Sequence, residues 1–173
     1  MESPVPRSEA MTEPLPPDQD SEVSNPRQVL HADLRYFVLA DEAIYTWRLP
    51  EADGDTPPGV YRLVVAEGFR HDFASVPRLL WTFIAPLDLG LASIFHDWLY
   101  RAQGRVETLR WTEAGWNAVR EPWTRREADR LFGRIMREQG VASWKRRLAF
   151  YAVRAFGGSV WGRPCRPDPA PPR

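Results

Sequence analysis

Leu91-Ala92-Ser93-Ile94-Phe95-His96-Asp97-Trp98-Leu99-Tyr100 (91–100) is the stretch at which the chain changes period. Leu91, Ile94, Phe95, Trp98 and Leu99 fall at i, i+3, i+4, i+7 and i+8, which is one apolar stripe of a helix. Ser93, His96, Asp97 and Tyr100 share a different face at the same spacings of three and four. On the N-terminal side the runs are those of strands. Residues 34–39, 43–49 and 60–65 are aromatic and β-branched, and turn-rich segments such as Asp53-Gly54-Asp55 and Pro57-Pro58-Gly59 separate them. Connections this short predict an antiparallel meander.

On the C-terminal side the helical period continues. Thr124 opens a second helix with a Thr-x-x-Glu box closed by Glu127, and Ala128, Leu131, Phe132, Ile135 and Met136 form its stripe before Gly140 ends it. A third helix opens at Ser143 and is expected to bury Trp144, Leu148, Tyr151, Ala152, Ala155 and Phe156 before Gly157-Gly158 stops it. Between the first two helices, residues 103–123 carry Trp111, Trp116 and Trp123 but no clean period. They read as an inserted loop with a short hairpin around Val106 to Trp111. The predicted fold class is α+β: a small antiparallel sheet from the N-terminal half, packed against two to three helices from the C-terminal half.

A chain of 173 residues is expected to hold one domain. Residues 1–28 are rich in Pro, Ser, Glu and Asp and read as a disordered tail, residues 29–163 as the single domain, and residues 164–173 as a Pro-rich disordered tail. Formal charge is zero overall but unevenly spread: residues 1–100 hold seven Arg and sixteen acids, residues 101–173 sixteen basic residues and seven acids. The basic half could meet an anionic partner or pair with the acidic half. Its arginines do not interleave with a recognisable base-reading motif, so nucleic acid ranks last among partners. Lys145 is the one lysine and Cys165 the one cysteine, which excludes an internal disulfide. With no basic start followed by an apolar run, a cytoplasmic location is expected. The apolar run from Leu79 to Phe95 is broken by Pro86 and Gly90 and is too short for a transmembrane segment. Its part 79–87 reads either as a plug between sheet and helices or as a rim admitting lipid.

The chemistry-bearing residues gather on the first two helices. Asp129 lies beside its helix's apolar stripe, next to Ala128 and one turn before Gly133, where small residues admit another helix. There it could accept the Nδ1 proton of His96, leaving Nε2 as a general base. Asp97 points about 100° round the helix from His96, so it is not the orienting partner. It is left to hold a cation or to pair with an arginine. A cation needs further oxygen ligands, for which Asp72, in the loop Gly68–Arg78, is the candidate. Asp72 and Ser75 otherwise read as backbone caps of a tight loop. The bland alternative for His96 and Asp129 is a buried polar bridge between helices.

Gly68-Phe69-x-x-Asp72-Phe73-Ala74-Ser75-Val76-Pro77-Arg78, His96-Asp97-x-Leu99-Tyr100, Ala128-Asp129-x-x-Phe132-x-x-x-Met136 and the later Val153-Arg154 resemble a domain family of unknown function from bacteria, bacteriophages and prophages. That likeness spans about residues 34–161 and implies no activity. His96-Asp97-Trp98-Leu99-Tyr100 with Asp129 is also similar to the His-Asp helix pair of phospholipase A2. The second likeness implies a hydrolase of esters or acyl bonds with a lipid or ester substrate. His96 would be the base, Asp129 the orienting acid, Tyr100 a supporting hydroxyl and Asp97 a calcium ligand. Leu99 stands where that family has cysteine, and its Gly-rich calcium loop is missing. The order His71, His96-Asp97, Asp129 is similar to HD-type phosphohydrolases, whose folds are wholly helical, unlike the strand that precedes His71.

Overall fold

A computed structural model describes residues 13–30, 36–53, 56–71, 86–119 and 122–161, the stretch 86–89 as backbone alone. Two antiparallel sheets and the helices share one hydrophobic core, so the α+β class stands. The larger sheet has the order β1-β4-β5-β7-β8. Its centre is the long pair β4 (Ala43–Leu49) and β5 (Gly59–Val65), in register from Ala43 opposite Val65 to Leu49 opposite Gly59. β1 is Ser21–Val23, β7 is Leu109–Thr112 and β8 is Gly115–Ala118. The smaller sheet is β2-β3-β6, with β2 Gln28–Leu30, β3 Phe37–Leu39 and β6 Arg70–His71.

This differs from a simple meander in two ways. β3 and β4 are consecutive but lie in different sheets, β3 between β2 and β6. The hairpin expected around 106–111 lies at 109–118, and β7 adds to β5, so the three-tryptophan insert extends the main sheet. Burial explains the first difference. Ala43, Ile44, Tyr45, Thr46 and Trp47 are all buried, as a strand covered on both faces must be, and such a strand shows no alternation to mark its neighbours.

One face carries Tyr45, Trp47, Tyr61 and Leu63 towards the helices, with Tyr45 against Phe95 at 5.8 Å between ring centroids and Trp47 against Trp123 at 6.0 Å. The opposite face carries Thr46 and Arg62, joined by Arg62 Nε donating to Thr46 Oγ1 over 3.0 Å. The N-terminal segment covers that side. Arg62 donates to the Glu13 carbonyl, Arg48 donates to the carbonyls of Leu15 and Pro16, and β1 pairs with β4. Residues 13–28 therefore contribute a strand, a buried Leu15 and backbone acceptors, although the composition of 1–28 reads as a tail. Polar composition hides this because the segment is held through its backbone.

Helix α1 (Pro86–Arg101) bends at Gly90, whose backbone is not helical (φ 11°, ψ −106°). Helix α2 (Arg125–Glu138) starts on the expected box: Thr124 Oγ1 accepts from the Glu127 amide and Glu127 accepts from the Thr124 amide. Its buried face is Ala128, Asp129, Leu131, Phe132, Ile135 and Met136. Helix α3 (Ser143–Phe156) buries Ala149, Ala152 and Val153, and a one-turn α4 (Gly158–Trp161) follows. Of the residues expected inside α3, only Ala152 is buried. Trp144, Tyr151 and Phe156 stand exposed. α3 is apolar on more than one face, and its small residues settle which one packs, because Ala149 and Ala152 let it approach closely. No helix among the described residues is long and apolar enough to cross a membrane.

Candidate functional site

The α1–α2 contact brings His96 and Asp129 together with both side chains fully buried. His96 Nε2 lies 3.1 Å from Asp129 Oδ1. The nitrogen in contact is thus Nε2, the reverse of the tautomer expected from the sequence. The ring is wedged between Tyr100, at 4.1 Å between centroids, and Phe132, at 4.7 Å, and these two neighbours fix which edge meets the carboxylate. Nδ1 is buried and makes no hydrogen bond among the described residues. Asp97 lies on that side, its Oδ1 3.9 Å from Nδ1, which is beyond hydrogen-bond reach but close enough for its charge to act.

Asp129 is the hub of the group. Its Oδ1 accepts from the Tyr100 hydroxyl over 2.6 Å, one turn along α1 from His96. Its Oδ2 accepts from Arg154 Nη1 of α3 over 3.0 Å, with Arg125 Nε of α2 at 3.9 Å. Arg125 also donates to the Tyr100 hydroxyl oxygen and, through Nη2, to the Val153 carbonyl. Tyr100 packs edge-on against Trp161, and the alpha carbon of Gly157 leaves it room, since a Cβ there would lie 2.6 Å from the hydroxyl. Gly133, read as the approach point for α1, faces Phe150 of α3.

These contacts set the protonation. Burial works against a charged His96, but the hydrogen bond to Asp129 and the neighbouring Asp97 outweigh it, and the imidazole lies above its ordinary value. Burial likewise works against the Asp129 carboxylate, yet hydrogen bonds from His96, Tyr100 and Arg154 hold it below the usual range. Burial, and then donation to Asp129, push the Tyr100 phenol up, so it stays a donor. His71, on β6 and stacked near Phe37 and Phe69, is the opposite case: burial outweighs the attraction of Asp97 and pulls it down to about 4.

Of the residues singled out from sequence, His96, Asp129 and Tyr100 form one hydrogen-bonded group, and Asp97 adjoins it. Asp72, Ser75 and residues 79–85 of the segment 79–87 lie outside the described residues, and 86–87 are described as backbone alone. Calcium needs six or more oxygens; around His96 the described carboxylates are Asp97 and Asp129, the latter already taken by His96, Tyr100 and Arg154. Among the described residues no set of three His, Cys, Asp or Glu could hold a metal ion. The donors described do not fit a calcium site. Arg125 and Arg154 join the group without standing among the site residues expected from the sequence, where Arg154 enters only through the Val153-Arg154 motif. Arg125 precedes Asp129 by four residues, the spacing of a helical ion pair, and that signal was available. Among the described residues, one cavity of about 110 Å³ is bounded by Trp47, Trp123, Leu131 and Arg130, and another of about 600 Å³ lies between Gln28, Gly90 and the α2–α3 turn. Neither is lined by His96 or Asp129.

Residues 52–153 match the family described as protein of unknown function DUF1353, which is more than half of the chain, and the chain belongs to that family. The matched span takes in β5 to β8, α1, α2 and most of α3, so it contains His96, Asp97, Tyr100, Asp129 and Arg125 but stops one residue before Arg154. It is narrower than the span of 34–161 expected from the motifs. Neither the comparison with curated proteins nor that with solved structures gives a match.

Proposed function

We propose that the protein is a hydrolase of carboxylic esters or related acyl bonds, with His96 as the water-activating base and Asp129 as its orienting acid. The observation that carries this reading is the buried Nδ1 of His96. Asp129 occupies Nε2 and fixes the tautomer with its proton there, which leaves the Nδ1 lone pair uncommitted among the described residues. Because Nδ1 is buried, the reaction requires the Asp97 side of the ring to open and admit water and ester; Nδ1 then takes a proton from that water as the water oxygen bonds to the carbonyl carbon. The ester C–O bond then breaks, and the same proton passes to the departing alkoxide. Asp129, held ionised by Tyr100 and Arg154, stabilises the imidazolium formed in between. Tyr100 is a positioning residue, and Asp97 adds negative charge on the reacting side.

His96→Gln is the decisive variant, because the glutamine amide nitrogen can stand in for Nε2 towards Asp129 while Nδ1 is deleted. Hydrolysis of p-nitrophenyl butyrate by the full chain should be lost, with the thermal midpoint in alkaline buffer nearly unchanged. A wild type with no turnover, or a His96→Gln protein as active as wild type, sinks the reading. The full burial of both side chains favours a second reading: an accessory protein without catalysis, such as phages and prophages carry, in which the pair is a bridge between helices. That reading expects no activity to lose, and a cost of about 1–3 kcal/mol for His96→Leu, the penalty of an unpaired buried polar group.

A further inference from the structure

We propose that the exposed face of α3 and α4 is a docking surface for an anionic lipid membrane. This rests on that face alone and does not depend on the hydrolase reading. Trp144 is 55% exposed, Tyr151 69%, Phe156 61% and Val160 49%, within seventeen residues of chain. At 100° per residue, Trp144, Leu148, Tyr151 and Ala155 share an arc of about 60°, with Trp144, Tyr151 and Ala155 exposed and Leu148 half-buried against the core at its base. Arg147 borders that line on one side and Lys145 on the other, with the Lys145 ammonium 5.7 Å from the Trp144 ring centroid; Arg154, on the side of Arg147, is taken up by Asp129. From Ser143 to Trp161 there are four cations and no acid. Arg147 makes no hydrogen bond or ion pair among the described residues.

The charge selects the occupant. A second copy of the chain docked face to face would set Lys145 and Arg147 against the same two cations, which like-charge repulsion disfavours. A single-stranded nucleic acid would satisfy the cations and could stack on the aromatic rings, but Leu148, Ala155 and Val160 offer a base no stacking partner. A membrane surface suits this face: its aromatic and aliphatic side chains enter the headgroup boundary, and Lys145 and Arg147 beside them meet anionic lipid phosphates.

The test is flotation of the full-length protein with vesicles of phosphatidylcholine, with and without phosphatidylglycerol. The wild type should float with the phosphatidylglycerol vesicles and stay behind with phosphatidylcholine alone. Trp144→Ala/Tyr151→Ala and Lys145→Glu/Arg147→Glu should each lower the partition about tenfold or more, with circular dichroism and thermal midpoint nearly unchanged, since Trp144, Tyr151 and Arg147 are exposed and Lys145 is only half-buried. Hydrolysis of a soluble ester should be unaffected in these variants, so the two readings fail separately. A wild type that fails to float overturns the proposal, whether it binds a single-stranded oligonucleotide or dimerises instead. So does equal flotation on neutral vesicles, or flotation of either double variant at the wild-type level.

Discussion

His96 and His71 are both buried, yet their surroundings push them apart. His96 lies above the ordinary imidazole value of 6.5, so its stabilising contribution is complete below 6.5 and is lost as pH rises through its folded-state value. His71 lies at about 4, so its contribution is present above 6.5 and is lost as pH falls towards 4. Asp129, lowered from its ordinary 3.8, adds to the loss only at still lower pH. The thermal midpoint should therefore peak around 6.5. His96→Gln should flatten the alkaline limb of a midpoint-against-pH series, and His71→Gln the limb between 6.5 and 4. On the proposed mechanism activity needs neutral His96, so kcat/KM should climb with pH above 6.5, where this part of the stability fades. A bell with its maximum below 6.5 would contradict that assignment. Gly157 bears on the same group. Its φ of −66° suits any residue, so the constraint is space: a Cβ would sit 2.5 Å from the Val153 carbonyl oxygen and 2.6 Å from the Tyr100 hydroxyl. Gly157→Ala should cost about 1–3 kcal/mol in denaturant unfolding, the range for overpacking.

At the scale of elements, Gly104 holds the tryptophan-rich insert to the helices. Its amide donates to the Leu99 carbonyl at the end of α1, and its carbonyl accepts from the Trp123 amide just before α2. Its φ is +74°, and a Cβ would lie 1.9 Å from the Trp123 carbonyl oxygen. Gly104→Ala should therefore fail on backbone and on space together, by about 2 kcal/mol or more, and melting curves of the variant will show it. This glycine is also where legibility ends. α1 and α2 could be read in detail because each has one apolar face and α2 has a capping box, and the His96–Asp129 contact followed from those two faces. The edge of the imidazole facing Asp129 could not be read, since it depends on how Tyr100 and Phe132 pack around the ring. The buried face of α3 is not legible in the sequence, because a helix apolar on several sides leaves the period without a preferred direction. The hairpin of β7 is legible in the sequence, but its pairing with β5 is not, because a strand of four half-buried residues has no interior side to mark its neighbour.

For the whole molecule, the N-terminal segment is part of the fold. Deleting residues 1–24 would remove β1 from the edge of the main sheet and take away carbonyls that Arg48 and Arg62 use. Arg62 is buried, and burial lowers its pKa, so lost acceptors there are costly. The truncated chain should lose about 2–4 kcal/mol by urea unfolding, from a hydrogen bond to a charged group and from strand pairing. Equal stability of the two chains would mean that this cover is ornamental.

Asp129 has one further effect. Through a single carboxylate it joins Tyr100 and His96 of α1, its own helix α2, and Arg154 of α3. None of these helices can swing away from the others without stripping a buried anion of its donors. Amides of the three should therefore exchange with solvent in one concerted opening, and not helix by helix. The same knot would make proteolytic nicking within the bundle an all-or-nothing event.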